Sequence, residues 1–191
     1  MSETEDRVAI ADLIAAWIHR DNHDSDKLAA TFHDDATISV SWFTGTVNDF
    51  LSANPLGTAN SMLSKHFVGY PYMTVGKDRA LAETNVMIPC DSVQVGFGCT
   101  VHARFFDRIS RRDGVWRIEQ RNAIYDVADI TFPDGPVEID RDALARYPRE
   151  YAAFAYFMDK LGVTFTEILP TRGSEKEAAI KESGQQWLNG N

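Results

Sequence analysis

The spacing of hydrophobic positions divides the chain into three stretches. Before His66 it is mainly helical, from there to Thr131 mainly extended, and after Pro136 helical again. Ile10, Leu13, Ile14, Trp17 and Ile18 recur at helical spacing, and Ser2 with Glu5 reads as a capping box. A first helix is expected over residues 4–21, its apolar face turned to a sheet. Asp24 reads as the N-cap of a second, short helix with Leu28 and Phe32 on one face, ended by His33-Asp34-Asp35-Ala36. Residues 36–43 read as a strand, and Thr46 caps a third helix over residues 47–52. Asn54-Pro55 and Gly57 break that helix, and a short helix is expected over residues 60–63.

The extended stretch has clearer punctuation. Residues 66–75 read as a strand made irregular by Pro71, followed by a turn at Lys77-Asp78. Long strands follow over residues 79–90, 97–110 and 115–131, with Asp113-Gly114 as a hairpin turn. Pro133-Asp134-Gly135-Pro136 marks a boundary. Helices are then expected over residues 142–147, 149–161 and 175–187. The middle one carries a stripe of Tyr151, Phe154, Ala155, Met158 and Leu161; the last is polar and packs at its end. Helices followed by a run of long strands indicate an α+β fold. The expected form is a cone: a strongly curved, mostly antiparallel sheet around the first helix, with a pocket between them. Residues 1–131 would form the cone. Residues 132–191 would be a helical extension on the core, on a neighbouring subunit or over the pocket mouth.

Composition narrows the choice of partners. A chain of 191 residues with 44% hydrophobic and 11% aromatic residues suits one well-buried domain. A net charge of −9 disfavours nucleic acid and anionic membrane surfaces, which require a basic face. Cys90 and Cys99 lie in apolar strand-like segments and form no CxxC motif. Buried thiols in a reducing cytoplasm are the expectation. The acidic N-terminus has no apolar core of signal-peptide type, and no stretch is apolar enough to span a membrane.

The candidate chemistry centres on DNHDSDKLAATFHDDA, residues 21–36, with His66 and Arg121 far downstream. Histidine titrates near neutrality and can take a proton from carbon or oxygen; a carboxylate fixes its tautomer best. Asp21 lies near a helix C-terminus, an unfavourable place for a negative charge and one compatible with a functional role. Together these segments resemble the SnoaL-like branch of the nuclear-transport-factor-2-like superfamily, over roughly residues 5–131. Asp21, placed before Leu28 in the frame DxxDxxxLxxxFxDDA, takes the position of that family's catalytic Asp, and His66 that of its catalytic His. The resemblance extends to family enzymes such as scytalone dehydratase and hexachlorocyclohexane dehydrochlorinase. It implies a cystatin-like cone, an Asp–His pair, no cofactor and a homotrimer. It also gives Arg121 the place of a pocket arginine that stabilises a departing anion.

Trp17, Trp42, Tyr70, Tyr125 and His102 are the further candidates for substrate contact. Trp17 stands one helical turn before Asp21, Tyr70 could act as an acid toward a leaving oxygen, and His102 lies mid-strand. His19, His23 and His33 flank an Asp-rich run, but the spacing matches no metal motif, and no metal site is expected. No phosphate-loop, dinucleotide or nucleophile-elbow signature is present. The expected function is a cofactor-free, dehydratase-like lyase acting on a small hydrophobic or aromatic molecule. An isomerase or cyclase would use the same pair. A non-catalytic β subunit of an aromatic-ring-hydroxylating dioxygenase would share the fold without needing it.

Overall fold

The computed structural model describes residues 2–53 and 62–190. Its elements in chain order are α1 (Glu3–Ala15), α2 (Ile18–Asp21), α3 (Ser25–Ala29), β1 (Phe32–Val40), β2 (Phe43–Thr46), α4 (Val47–Ser52), β3 (Met62–Ser64), β4 (Phe67–Val68), β5 (Tyr72–Val75), β6 (Arg79–Ser92), β7 (Gly98–Arg112), β8 (Val115–Thr131), α5 (Arg141–Leu144), α6 (Ala152–Lys160) and α7 (Glu175–Leu188). The sheet runs β2-β1-β8-β7-β6-β3, with β4 and β5 also paired to β6. Among the described strands every pairing is antiparallel except β1 with β8. This is the α+β cone expected from the chain, with a curved, mostly antiparallel sheet. Register shifts between His102 and Ala103, between Arg108 and Ile109, and between Phe32 and Thr37 bend the long strands.

Local signals set most element boundaries. Ser2 and Glu5 form the reciprocal capping box of α1. Thr46 caps α4 by accepting from the Asp49 amide. Asp113 and Gly114 both take positive φ, which the two-residue turn between β7 and β8 requires. Pro71 separates β4 from β5, because it has no amide to give to the ladder.

Several expectations fail, and the first is that the single helix expected over residues 4–21 is broken at Ala16-Trp17 into α1 and α2. Phe32 is not on α3. The helix stops at Ala29, and Phe32 starts β1, where it pairs with Ile118. The polar run His33-Asp34-Asp35 therefore lies inside a strand rather than ending a helix. His33 Nε2 is 3.2 Å from the Ser110 carbonyl, and Asp35 accepts from Arg112 at 2.8 Å. Those distant partners overrode the local propensity. The strand expected over residues 36–43 accordingly begins earlier and ends at Val40, with β2 after a turn. Met62 and Leu63 are in β3 rather than a helix, paired with Ser92 and Asp91 on β6. The rest of that expected helix and the breaks at Asn54-Pro55 and Gly57 lie outside the described residues.

The C-terminal helices take opposite faces of the sheet. Residues 152–158 of α6 are all buried, and Tyr151, Phe154, Phe157 and Met158 share one core with Ile10, Ile14 and Trp17 of the N-terminal helices. Each such side chain contributes roughly 1.5–3 kcal/mol of burial free energy. α7 covers the other face, where Ile180, Trp187 and Leu188 pack on Leu81, Phe106 and Ile124. It is held along its length, not only at its end. Glu177 near its start accepts from Arg104 at 2.7 Å and from the Gly173 amide at 2.6 Å. The segment between α6 and α7 is pinned to β8: the Tyr125 amide donates to Pro170, and the Arg172 amide donates to Tyr125.

Candidate active site

The site begins at the end of α2. The His23 amide donates to the Arg20 carbonyl and the Asp24 amide to that of His19, with His23 at φ 56. These two bonds and the left-handed residue make a Schellman termination. It stops the helix directly after Arg20 and Asp21 and leaves both at the mouth of the cone.

Asp21 and His66 lie 45 residues apart in sequence and are joined by two hydrogen bonds. The His66 amide donates to Asp21 Oδ2 at 2.7 Å, and His66 Nδ1 lies 2.6 Å from Oδ1. An ionised carboxylate only accepts, so Nδ1 carries a proton, and in the neutral imidazole the lone pair is on Nε2. Nε2 has no partner among the described residues. Both side chains are largely buried, at 13% and 11% exposure. Burial pushes the Asp21 carboxyl up, but the two hydrogen bonds from His66 and the nearby charges of His66 and Arg20 outweigh it. The net result lies below the usual carboxylate value. Trp17 stands edge-on to the imidazole, with ring centroids 5.8 Å apart.

His66 faces a cavity walled by Trp17, Trp42, Phe50, Phe105, Tyr125 and Phe154, with Arg20, Ser41, Ser64, Ile88, Cys90 and Met158 among the other lining residues. The cavity volume is about 70 Å³. By the measure in which one water needs roughly 10–15 Å³, this is space for about five waters. Trp42 stacks on Phe50 at 5.3 Å, and Phe50 stacks on Trp17 at 6.2 Å, so the aromatic wall is continuous. Tyr125 is buried. Burial raises its phenol to about 12 despite hydrogen bonding to Ser41, so it stays protonated at neutral pH.

Of the residues singled out from sequence, Asp21, His66, Trp17, Trp42 and Tyr125 therefore come together. Three do not. Arg121 is 1% exposed and does not line the cavity. Its Nε and Nη2 each donate to Asp107 at 2.8 Å, while its guanidinium lies 4.5 Å from the Trp17 ring centroid and 4.2 Å from that of Phe105. It supports the cavity wall from behind. Tyr70 is 77% exposed, in the break after β4. His102 alternates with the buried Val101 and Ala103, which puts it on the face of the sheet opposite the cavity. Sequence reasoning did not select Arg20 or Phe50. Adjacency to Asp21 was the available signal for Arg20; nothing local marked Phe50. The acidic run disperses: Asp24 caps α3 and Asp35 pairs with Arg112.

Comparison with known proteins agrees with this fold. A hexachlorocyclohexane dehydrochlorinase (LinA, type 2) superposes with a TM-score of 0.59 at 19% identity, covering 71% of this chain and 95% of that one. A scytalone dehydratase-like protein from Novosphingobium aromaticivorans DSM 12444 gives 0.56 at 19% identity, covering 71% and 97%. A Nostoc punctiforme protein of unknown function with a cystatin-like fold gives 0.51 at 19% identity, covering 70% and 97%. At these identities the likeness concerns the fold. No curated protein matches the chain. The profile of the SnoaL-like domain family matches residues 2–122, well over half of the sequence, and this chain belongs to that family, within the nuclear-transport-factor-2-like superfamily.

Proposed function

We propose that this protein is a cofactor-independent lyase that eliminates a small group from a hydrophobic, ring-containing molecule. The observation that carries the reading is the 2.6 Å contact between His66 Nδ1 and Asp21 Oδ1 at the wall of an aromatic cavity, with Nε2 unpartnered among the described residues. Nε2 takes a proton from a carbon of the substrate. The electron pair of that C–H bond becomes the new C=C bond, and the group on the adjacent carbon leaves with its own bonding pair. Where a hydroxyl leaves, the imidazolium returns the proton and water departs. Asp21 holds the tautomer and offsets the imidazolium charge. The protonated Tyr125 and the hydroxyls of Ser41 and Ser64 are the donors available to the leaving atom. Arg121 acts through Trp17 and Phe105 as a positioning residue. An isomerase uses the same abstraction and differs in returning the proton to another carbon.

The test is a panel of hydroxylated and halogenated cyclic compounds, with products read by mass spectrometry. Loss of water or hydrogen halide supports elimination; a product of unchanged mass with a shifted double bond means isomerisation. On the active compound, His66→Ala should lower turnover by about 10²–10⁴-fold, the usual contribution of a positioned acid–base group. Asp21→Asn should also lower it, through kcat more than KM. Unchanged turnover in either folded variant refutes the assignment.

A further inference from the structure

Arg20 stands out among the arginines of this protein. Those that are buried or half-buried elsewhere have partners: Arg104 with Glu83, Asp126 and Glu177, Arg111 with Asp6 and Asp78, Arg121 with Asp107, Arg108 with Ser183, and Arg117 with the Ala30 carbonyl. Arg20 is half-buried and lines the cavity, yet makes no ion pair or hydrogen bond among the described residues. Its neighbour Asp21 is committed through both oxygens to His66. Burial weakens the hold of Arg20 on its proton, and the attraction of Asp21 opposes this only in part. A guanidinium withdrawn from water without a partner is a cost that a bound anion would remove.

We infer that Arg20 is the substrate-recognition residue of this cavity and that the substrate is a ring compound carrying a carboxylate. The inference rests on reading the cavity as the substrate site. The planar fork of the guanidinium matches a carboxylate through two parallel hydrogen bonds. Apart from His66, the remainder of the lining is apolar or hydroxylic and takes the ring. Arg20 and Asp21 are consecutive residues, so a carboxylate on Arg20 is anchored at the same helix end that orients His66. Arg20 and His66 line the same cavity, and where the carbon next to the carboxylate meets Nε2 the guanidinium offsets charge that builds on the carboxylate as the proton is withdrawn. Arg121 lies outside the lining with two of its nitrogens on Asp107, and the one left over, Nη1, cannot make a two-point contact.

The test compares each acid with its neutral isostere by titration calorimetry: benzoate against benzamide, and 2-naphthoate against 2-naphthamide. At least one acid should bind about tenfold or more tightly than its amide, as a charge-assisted bidentate contact provides. Arg20→Gln should abolish that preference while leaving amide affinity within about threefold. Arg20→Lys should retain part of it, and a thermal melt checks both variants for folding. Equal binding of acid and amide, no binding of either acid at millimolar concentration, or a preference that survives in folded Arg20→Gln overturns the inference. The catalytic reading fails separately: its failure is unchanged turnover in His66→Ala, a variant in which the carboxylate preference should persist.

Discussion

At the residue scale, the Asp21–His66 contact has a consequence for stability as well as for chemistry. The folded pKa of Asp21 is depressed, so its ionised form stabilises the native state. That contribution is fully present above the unfolded carboxyl value of about 3.9 and is lost as pH falls through the folded value. Wild type should therefore melt higher than Asp21→Asn at pH 6, and the gap should close as the solution is acidified below about pH 4. A gap that does not depend on pH would show that ionisation of Asp21 is not what stabilises this corner. His23 makes a second case. It holds φ 56 at the helix termination, a conformation costing a non-glycine residue roughly 1–2 kcal/mol. His23→Gly should raise stability by about 0.5–1 kcal/mol in denaturant melts, the gain being reduced by glycine's larger unfolded-state entropy.

At the scale of elements, α7 shows how a polar helix is fixed to a sheet. Arg104 on β7 donates to Glu177 on α7, to Glu83 on β6 and to Asp126 on β8, so one guanidinium joins four elements. Burial raises the Glu177 carboxyl, but hydrogen bonds from Arg104, the Gly173 amide and Lys181 bring it down to about 2. The stabilising charge is complete above the unfolded glutamate value of about 4.3 and disappears as pH falls toward 2. Trp187, which lies against Arg79 and Arg108, reports on docking of the helix. Its fluorescence should change on acidification in wild type before global unfolding, and less so in Glu177→Gln, where the ion pair is already absent. Gly184 marks the closest approach of α7 to the sheet. A Cβ there would lie 2.6 Å from the buried Phe106 ring. Gly184→Val should cost about 1–3 kcal/mol by overpacking, read as a lower denaturation midpoint. A neutral result would mean that α7 shifts freely.

At the scale of the whole molecule, the C-terminal helices are continuous with the core. α6 supplies Phe154 and Met158 to the cavity and buries residues 152–158 against the sheet. Removing residues 132–191 would expose that surface together with the Leu81, Phe106 and Ile124 cluster. The shortened chain should aggregate rather than remain a folded protein with an open pocket. A monodisperse, folded truncation product would show α6 to be a dispensable lid. Leu63, Phe67, Tyr70 and Tyr72 on β3 to β5 and the adjoining break are 50–79% exposed, a concentration of apolar surface along one side of the sheet. A homotrimer remains the expectation to be checked by light scattering at micromolar concentration; a monomer would contradict it.

The sequence by itself determined the order of the elements and several of their ends. Capping residues, the Asp113-Gly114 turn and Pro71 act over a few residues, and such short-range chemistry can be read without the fold. Asp21 and His66 were also legible, through a resemblance in motif and order rather than through anything local. The tertiary structure decided what depends on distant partners. Phe32 left its helix because β8 offers a strand partner. His102 and Tyr70 lost a pocket role through strand parity and exposure. Arg121 was claimed by Asp107, one strand away, and no local pattern signals an ion pair that spans two strands. Arg20 is left without an ion pair among the described residues for the complementary reason: the carboxylate beside it in sequence is held by a histidine 45 residues away, which only the closed fold brings into reach.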